Sequence, residues 1–278
     1  MNIQKCSKED IFKYIDLQEN DTILYLGGRI DDDNLYPAGY RKYLNSKIKE
    51  LSPDKIICHN YWYAKKYYEK GILSEDTKID MVLSYYYYFH RDGPLETINP
   101  EDYNGRRDWI KILIDKNPNI VYALYLDDNS TLGNRPPSVY VNDDWFGEDY
   151  DLNNVKYFDR DRRYSLSHVG DKGYALLDHL ATSGAKINST GGFATFMDML
   201  DAGFKNLNIL GFTAFGSDED QSHFTPQHPW GMYASRKYFD LKTSENQRVE
   251  ADILKYLAQN NTIKNIENYE KLMSFLKS

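Results

Sequence analysis

Strand-sized apolar runs alternate with helix-like stretches along most of this chain, and that alternation constrains its fold more than any other feature. Asp21 to Gly28 (DTILYLGG) is an apolar run that stops at two glycines, and Tyr36 to Leu51 then has helical spacing. Asp54 to Asn60 (DKIICHN) reads as a second strand, and Trp62 to Lys70 as a second helix ending at Gly71. Ile79 to Tyr88 is a third strand. Pro100 to Lys116 is a helix whose proline lies near the first position, where its missing N–H costs nothing. Asn119 to Asp127 is a fourth strand. Strands separated by helices specify a parallel sheet covered on both faces. The expected fold class is α/β, a Rossmann-like and mostly parallel sheet with helices on both faces.

The middle of the chain breaks the rhythm. Asp128 to Asp151 carries Gly133, Pro136, Pro137 and Gly147 among many Asp and Asn residues, which is the composition of a long loop or lid. Val155 to Phe158 is a short strand, followed by the charged run Asp159 to Arg163. Farther on, Asp171 to Thr182 and Phe193 to Ala202 are helices, with Gly203 placed to cap the second. Leu207 to Phe212 is a buried strand, and Gly216 to Trp230 a polar loop. Ser244 to Ala258 is a helix with a Val249, Ile253, Leu254, Leu257 stripe, and a short helix from Tyr269 to Leu276 follows. No repeat and no Gly/Ser or Pro linker divides the chain. The expectation is one α/β domain over 1–278 with an inserted lid at about 128–165.

Composition narrows the function. With 41% hydrophobic residues and 15% aromatics the chain is too apolar for disorder. Its best apolar run, Ile120 to Leu126, is far too short to span a bilayer. No early segment has the basic, apolar, small-residue order of a signal peptide. Cys6 and Cys58 make neither a disulfide framework nor a zinc motif, so a reducing, cytoplasmic compartment is expected. The 34 Lys and Arg against 42 Asp and Glu leave a net charge of −8, which disfavours a DNA partner. The 25 tyrosines accompany many Asn, Lys and Ile residues, the signature of an AT-rich genome, phage or bacterial. Tyr85 to Tyr88, at the end of a strand, are the first tyrosines to consider for stacking on a sugar or base.

The sharpest local signal is Lys186 to Gly216. A polar turn, Asn188-Ser189-Thr190-Gly191-Gly192, opens directly into a helix. Unpaired N–H groups at a helix start, with the Ser189 and Thr190 hydroxyls, suit an anion, and the glycines admit it to the backbone. The following strand ends at Gly211 and Phe212, and in open α/β sheets ligands lie beyond the carboxyl ends of strands. Gly27-Gly28-Arg29 ends the first strand in the same manner and would let a phosphate or ribose rest on the backbone. It is not a G-x-G-x-x-G, so a nicotinamide cofactor is not indicated.

This order (Ser-Thr-Gly, an apolar helix ending in Gly-Phe-Lys, a strand closing on Gly-Phe) resembles the core of the sialyltransferases. It is similar to the bacterial family 42 enzymes and to the small sialyl motif of the animal-type family 29 enzymes. The likeness spans about Lys186 to His223, with weaker agreement to Ala258. It implies a Rossmann-like transferase that uses a CMP-activated sugar, inverts the anomeric centre and needs no metal or other cofactor. It implies that Ser189, Thr190, Gly191 and Gly192 hold the donor nucleotide and that Gly211 and Phe212 lie beneath it. Ser222-His223-Phe224 is similar to the family's His-aromatic motif. Two stretches differ: Lys242 to Asn246 lacks the family histidine, and Gly27-Gly28-Arg29 replaces Gly-Asn-Gly or Gly-Asn-Ser.

Inverting glycosyl transfer needs a base for the acceptor hydroxyl, cations or hydrogen-bond donors for the departing phosphate, and a nucleotide pocket. Histidine is the natural base near neutral pH. Of the six histidines, His223 and His228 flank the loop beyond Gly211 and are the candidate catalytic pair, with Asp218, Asp220, Glu245 and Glu250 as substitutes. Arg29, Arg160, Arg162 and Arg163 are candidate phosphate contacts. Asp127-Asp128 has poor spacing for a metal-binding Asp-x-Asp. His90-Arg91-Asp92 lacks the rest of a kinase signature.

The expected partners are a nucleotide-sugar donor and a glycan or other hydroxyl acceptor. Two alternatives share the fold: a viral glycosyltransferase acting on a hydroxylated base in DNA, through Arg106, Arg107 and the Arg160 to Arg163 run, and a non-catalytic nucleotide- or sugar-binding module.

Overall fold

A computed structural model describes residues 4–7, 10–27, 40–85, 100–127, 150–160, 195–196, 198–199, 204 and 206–211. In chain order its strands are β1 (Gln4–Lys5), β2 (Ile23–Leu26), β3 (Lys55–His59), β4 (Met81–Tyr85), β5 (Val121–Asp127), β6 (Val155–Arg160) and β7 (Leu207–Leu210). Its α-helices are α1 (Tyr40–Leu51), α2 (Tyr61–Glu69) and α3 (Pro100–Lys116). The chain forms two compact units, Met1–Asp21 with Pro53–Asp161, and Thr22–Ser52 with Arg162–Ser278.

The first unit holds strands in the order β1-β6-β5-β4-β3, all parallel. The described core residues of β4 and β5, Met81 to Leu83 and Val121 to Leu124, are buried whichever face they point to, as strands covered on both sides require. Tyr122 marks one face, because its hydroxyl reaches the Ile110 carbonyl of α3 at 3.5 Å. Helix α2 packs on α3 through two cation–π contacts, Lys65 over Trp109 at 4.4 Å and Lys116 over Tyr68 at 4.8 Å. Both crossover helices cover the same face, as right-handed connections running in one direction demand. Lys156 points to the other face, since its strand partner is Ala123, the neighbour of Tyr122. Its amine lies 4.4 Å from the Tyr14 ring and donates to Gln4 Oε1 at 2.8 Å. Tyr14 belongs to a 3₁₀ turn, Ile11–Ile15, whose Ile11, Phe12 and Ile15 are buried. The sheet thus carries helical cover on both faces, the α/β architecture that the alternation specifies.

The second unit contains α1 and the parallel pair β2–β7, in register from Ile23 opposite Leu207 to Leu26 opposite Leu210. All residues of both strands are buried. Thr195, Phe196, Asp198 and Met199 are helical and buried. Phe204 N–H bonds to the Met199 carbonyl at 3.2 Å, the six-to-one closure found where a glycine ends a helix. Gly203 and the rest of that helix lie outside the described residues.

Three described elements have no counterpart in the sequence reading: β1, the Ile11–Ile15 turn and a second 3₁₀ turn at Leu152–Asn154. A two-residue polar strand has no alternation to detect, and it is held instead by pairing of Gln4 and Lys5 with Lys156 and Tyr157. Within the stretch 128–165, residues 150–160 belong to the core of the first unit. Tyr150 is buried, stands edge-on to Tyr122 and donates to the Ile120 carbonyl at 2.7 Å, and β6 completes the ladder with β5. Residues 128–149 and 161–165 lie outside the described residues. So do the expected helices over 171–182, 244–258 and 269–276, and Tyr86 to Tyr88.

Local chemistry explains the boundaries. Helix α2 ends in a Schellman turn: Ile72 N–H bonds to Tyr67 C=O and Gly71 N–H to Tyr68 C=O, both at 2.9 Å. Gly71 has φ 65° there, and an added Cβ would meet nothing within 4 Å. Gly71→Ala therefore isolates the backbone penalty. It should lower unfolding stability by about 1 kcal/mol in urea titrations, with Gly71→Asn costing less.

Asp80, just before β4, accepts Ile56 N–H at 2.8 Å and faces Lys55 at 3.8 Å. Burial raises its carboxyl pKa above 3.8, and the Ile56 bond and Lys55 only partly oppose this. A raised native pKa means that the folded state holds the proton more tightly, so this group's contribution falls as pH rises through the range just above 3.8. Asparagine can still accept the Ile56 bond. The stability of Asp80→Asn relative to the native protein should therefore increase with pH across that range and then level off, as measured by denaturation at a series of pH values.

Candidate functional site

The β2–β7 pair brings together two parts of the chain that the sequence reading singled out separately. Asn206 starts the pairing: its carbonyl accepts Ile23 N–H at 3.0 Å, and its amide donates to Thr22 Oγ1 at 3.0 Å. Asn208, buried inside β7, donates to the carbonyls of Ile23 and Asn206 at 3.2 and 3.3 Å. At the other end Gly27 N–H donates to Leu210 C=O at 2.8 Å. Gly27 and Gly211 are consequently neighbours at the carboxyl ends of adjacent parallel strands, and both are buried.

The two glycines have different reasons to be glycine. Gly211 has φ 75°, a left-handed conformation that a side chain resists. Gly27 is not among the described residues with positive φ, and its N–H is already used in the ladder. Backbone conformation therefore does not by itself call for glycine at this position. Strand ends of this kind are where α/β sheets place ligands.

The other sequence candidates for this site, Gly28, Arg29, Ser189, Thr190, Gly191, Gly192, Phe212, His223 and His228, lie outside the described residues. Of the secondary candidates, Asp127 and Arg160 are register partners at the carboxyl ends of β5 and β6. Among the described residues no cluster of three His, Cys, Asp or Glu can hold a metal ion. Likewise no described helix is long and apolar enough to cross a membrane.

The first unit has its own polar strand ends. His59 closes β3, is half-buried, and its ring faces Tyr63 at 6.4 Å with planes 28° apart. Asn60 follows with φ 72°, and its N–H continues the ladder to Leu83 C=O at 2.6 Å. The Asn60 carbonyl then accepts Ala64 N–H at 3.2 Å, so the chain turns from strand to helix at one residue. One strand over, Ser84 is fully buried, and its hydroxyl has no hydrogen-bond partner among the described residues. Sequence reasoning did not single out Asn60 or Ser84. The one signal was an asparagine set between an apolar strand and a helix, a residue type that tolerates the left-handed region.

The two cysteines are poor nucleophiles. Burial pushes the Cys6 thiol up to about 11 against the opposing charge of Lys156, and the fully buried Cys58 is raised further. Comparison with family models, with curated proteins and with solved structures gives no match to this chain.

The Gly211 conformation has a measurable consequence. Gly211→Ala should cost about 1 to 2 kcal/mol of stability in chemical denaturation, because φ 75° disfavours any Cβ. Gly211→Asn should recover part of that loss.

Proposed function

We propose that this protein is a glycosyltransferase that moves a sugar from a nucleotide-activated donor, most simply a CMP-sugar, to an acceptor hydroxyl with inversion. One observation carries the reading: Gly27 and Gly211, from distant parts of the chain, lie side by side at the carboxyl ends of β2 and β7, and backbone conformation accounts for only one of them. The donor nucleotide sits at that edge, against Gly27, Gly28, Gly211 and Phe212. The Ser189, Thr190, Gly191 and Gly192 turn and Arg29 take the phosphate. His223 or His228 removes the acceptor proton.

In the step itself the acceptor oxygen loses its proton to the base and bonds the anomeric carbon from the opposite face. The bond from that carbon to the phosphate oxygen breaks, and its electron pair leaves on the nucleotide. No metal is assigned, because the resemblance to the sialyltransferases implies none, and the departing phosphate is stabilised by cations or hydrogen-bond donors. The acceptor is a glycan or another hydroxyl compound rather than DNA, which the net charge of −8 disfavours.

A thermal-shift screen with CMP, CDP, UDP and GDP tests the reading. At least one nucleotide should raise the melting temperature, most simply CMP. Gly27→Val should abolish that shift, because its side chain occupies the space of close approach. Indifference to all four nucleotides removes the proposal.

A further inference from the structure

We draw no further inference here: the strongest candidate, the side-chain cluster of Cys6, Tyr14 and the buried Lys156 where β1 and the Ile11–Ile15 turn meet β6, has its amine held by Gln4 and the Tyr14 ring and its thiol by the Tyr157 carbonyl, so nothing there points to a ligand.

Discussion

A parallel strand cannot reach its neighbour through a tight turn, and each pairing needs a crossover that returns the chain to the same edge. In the first unit that requirement sets the repeated order β3, α2, β4, α3, β5, with both helices on one face. Strands covered on both faces must be apolar throughout, which is why Met81 to Leu83 and Val121 to Leu124 show no polar alternation. In the second unit the same rule draws β7 onto β2 across most of the chain's length. That pairing, and not proximity in sequence, makes neighbours of Gly27 and Gly211.

Tyrosine supplies much of the core that results. Tyr25, Tyr61, Tyr67 and Tyr122 are among the largest fully buried side chains. A buried phenol needs a partner for its hydroxyl, and backbone carbonyls provide several. Tyr150 donates to Ile120, Tyr68 to Thr77 at 2.7 Å, and Tyr122 reaches Ile110. Each of these bonds ties a ring to a carbonyl outside the regular ladder, so the side chain fills space and also fixes where a loop or helix lies. An AT-rich genome accounts for the number of tyrosines. Their use as core members with a directed tip is a property of the fold.

The regular part of the fold was legible because apolar spacing speaks directly to it. β3 to β5, α2 and α3 fall where their runs predict, and Pro100 and Gly71 mark boundaries through their own φ preferences. The edge strand β1 was not legible, since Gln4 and Lys5 are specified by a partner far along the chain rather than by their own pattern. The integration of residues 150–160 was obscured by the Gly, Pro and Asp content of the residues before them, which reads as loop whatever follows. Of the site, Gly27 and Gly211 were legible as glycines ending apolar runs. Their adjacency was not, because strand order depends on long-range pairing that no local window contains. Asn60 and Ser84 were invisible for another reason: φ 72° and an unsatisfied hydroxyl are properties of the folded state alone.

The two ends of the strands differ in how their polar groups are settled. Before the strands, side chains close the turns that lead in. Asp21 accepts Gln18 N–H at 2.9 Å, Asp80 accepts Ile56 N–H, Asn117 bonds Ile79 C=O at 2.9 Å and Asn119 N–H at 3.1 Å, and Asp151 accepts Asn153 N–H at 2.9 Å. After the strands the pattern reverses. Asn60 and Gly211 take left-handed backbone, the Ser84 hydroxyl has no hydrogen-bond partner among the described residues, and Gly27 is glycine without a positive φ. The separation is incomplete, because Asn208 Oδ1 in β7 also lacks a partner among the described residues. The other described left-handed residues, Asp16, Ser52 and Gly71, follow helical turns, where such a backbone closes the helix, whereas Asn60 and Gly211 follow strands. Local rules are broken where something besides the chain must be accommodated, and in parallel sheets that place is the carboxyl edge.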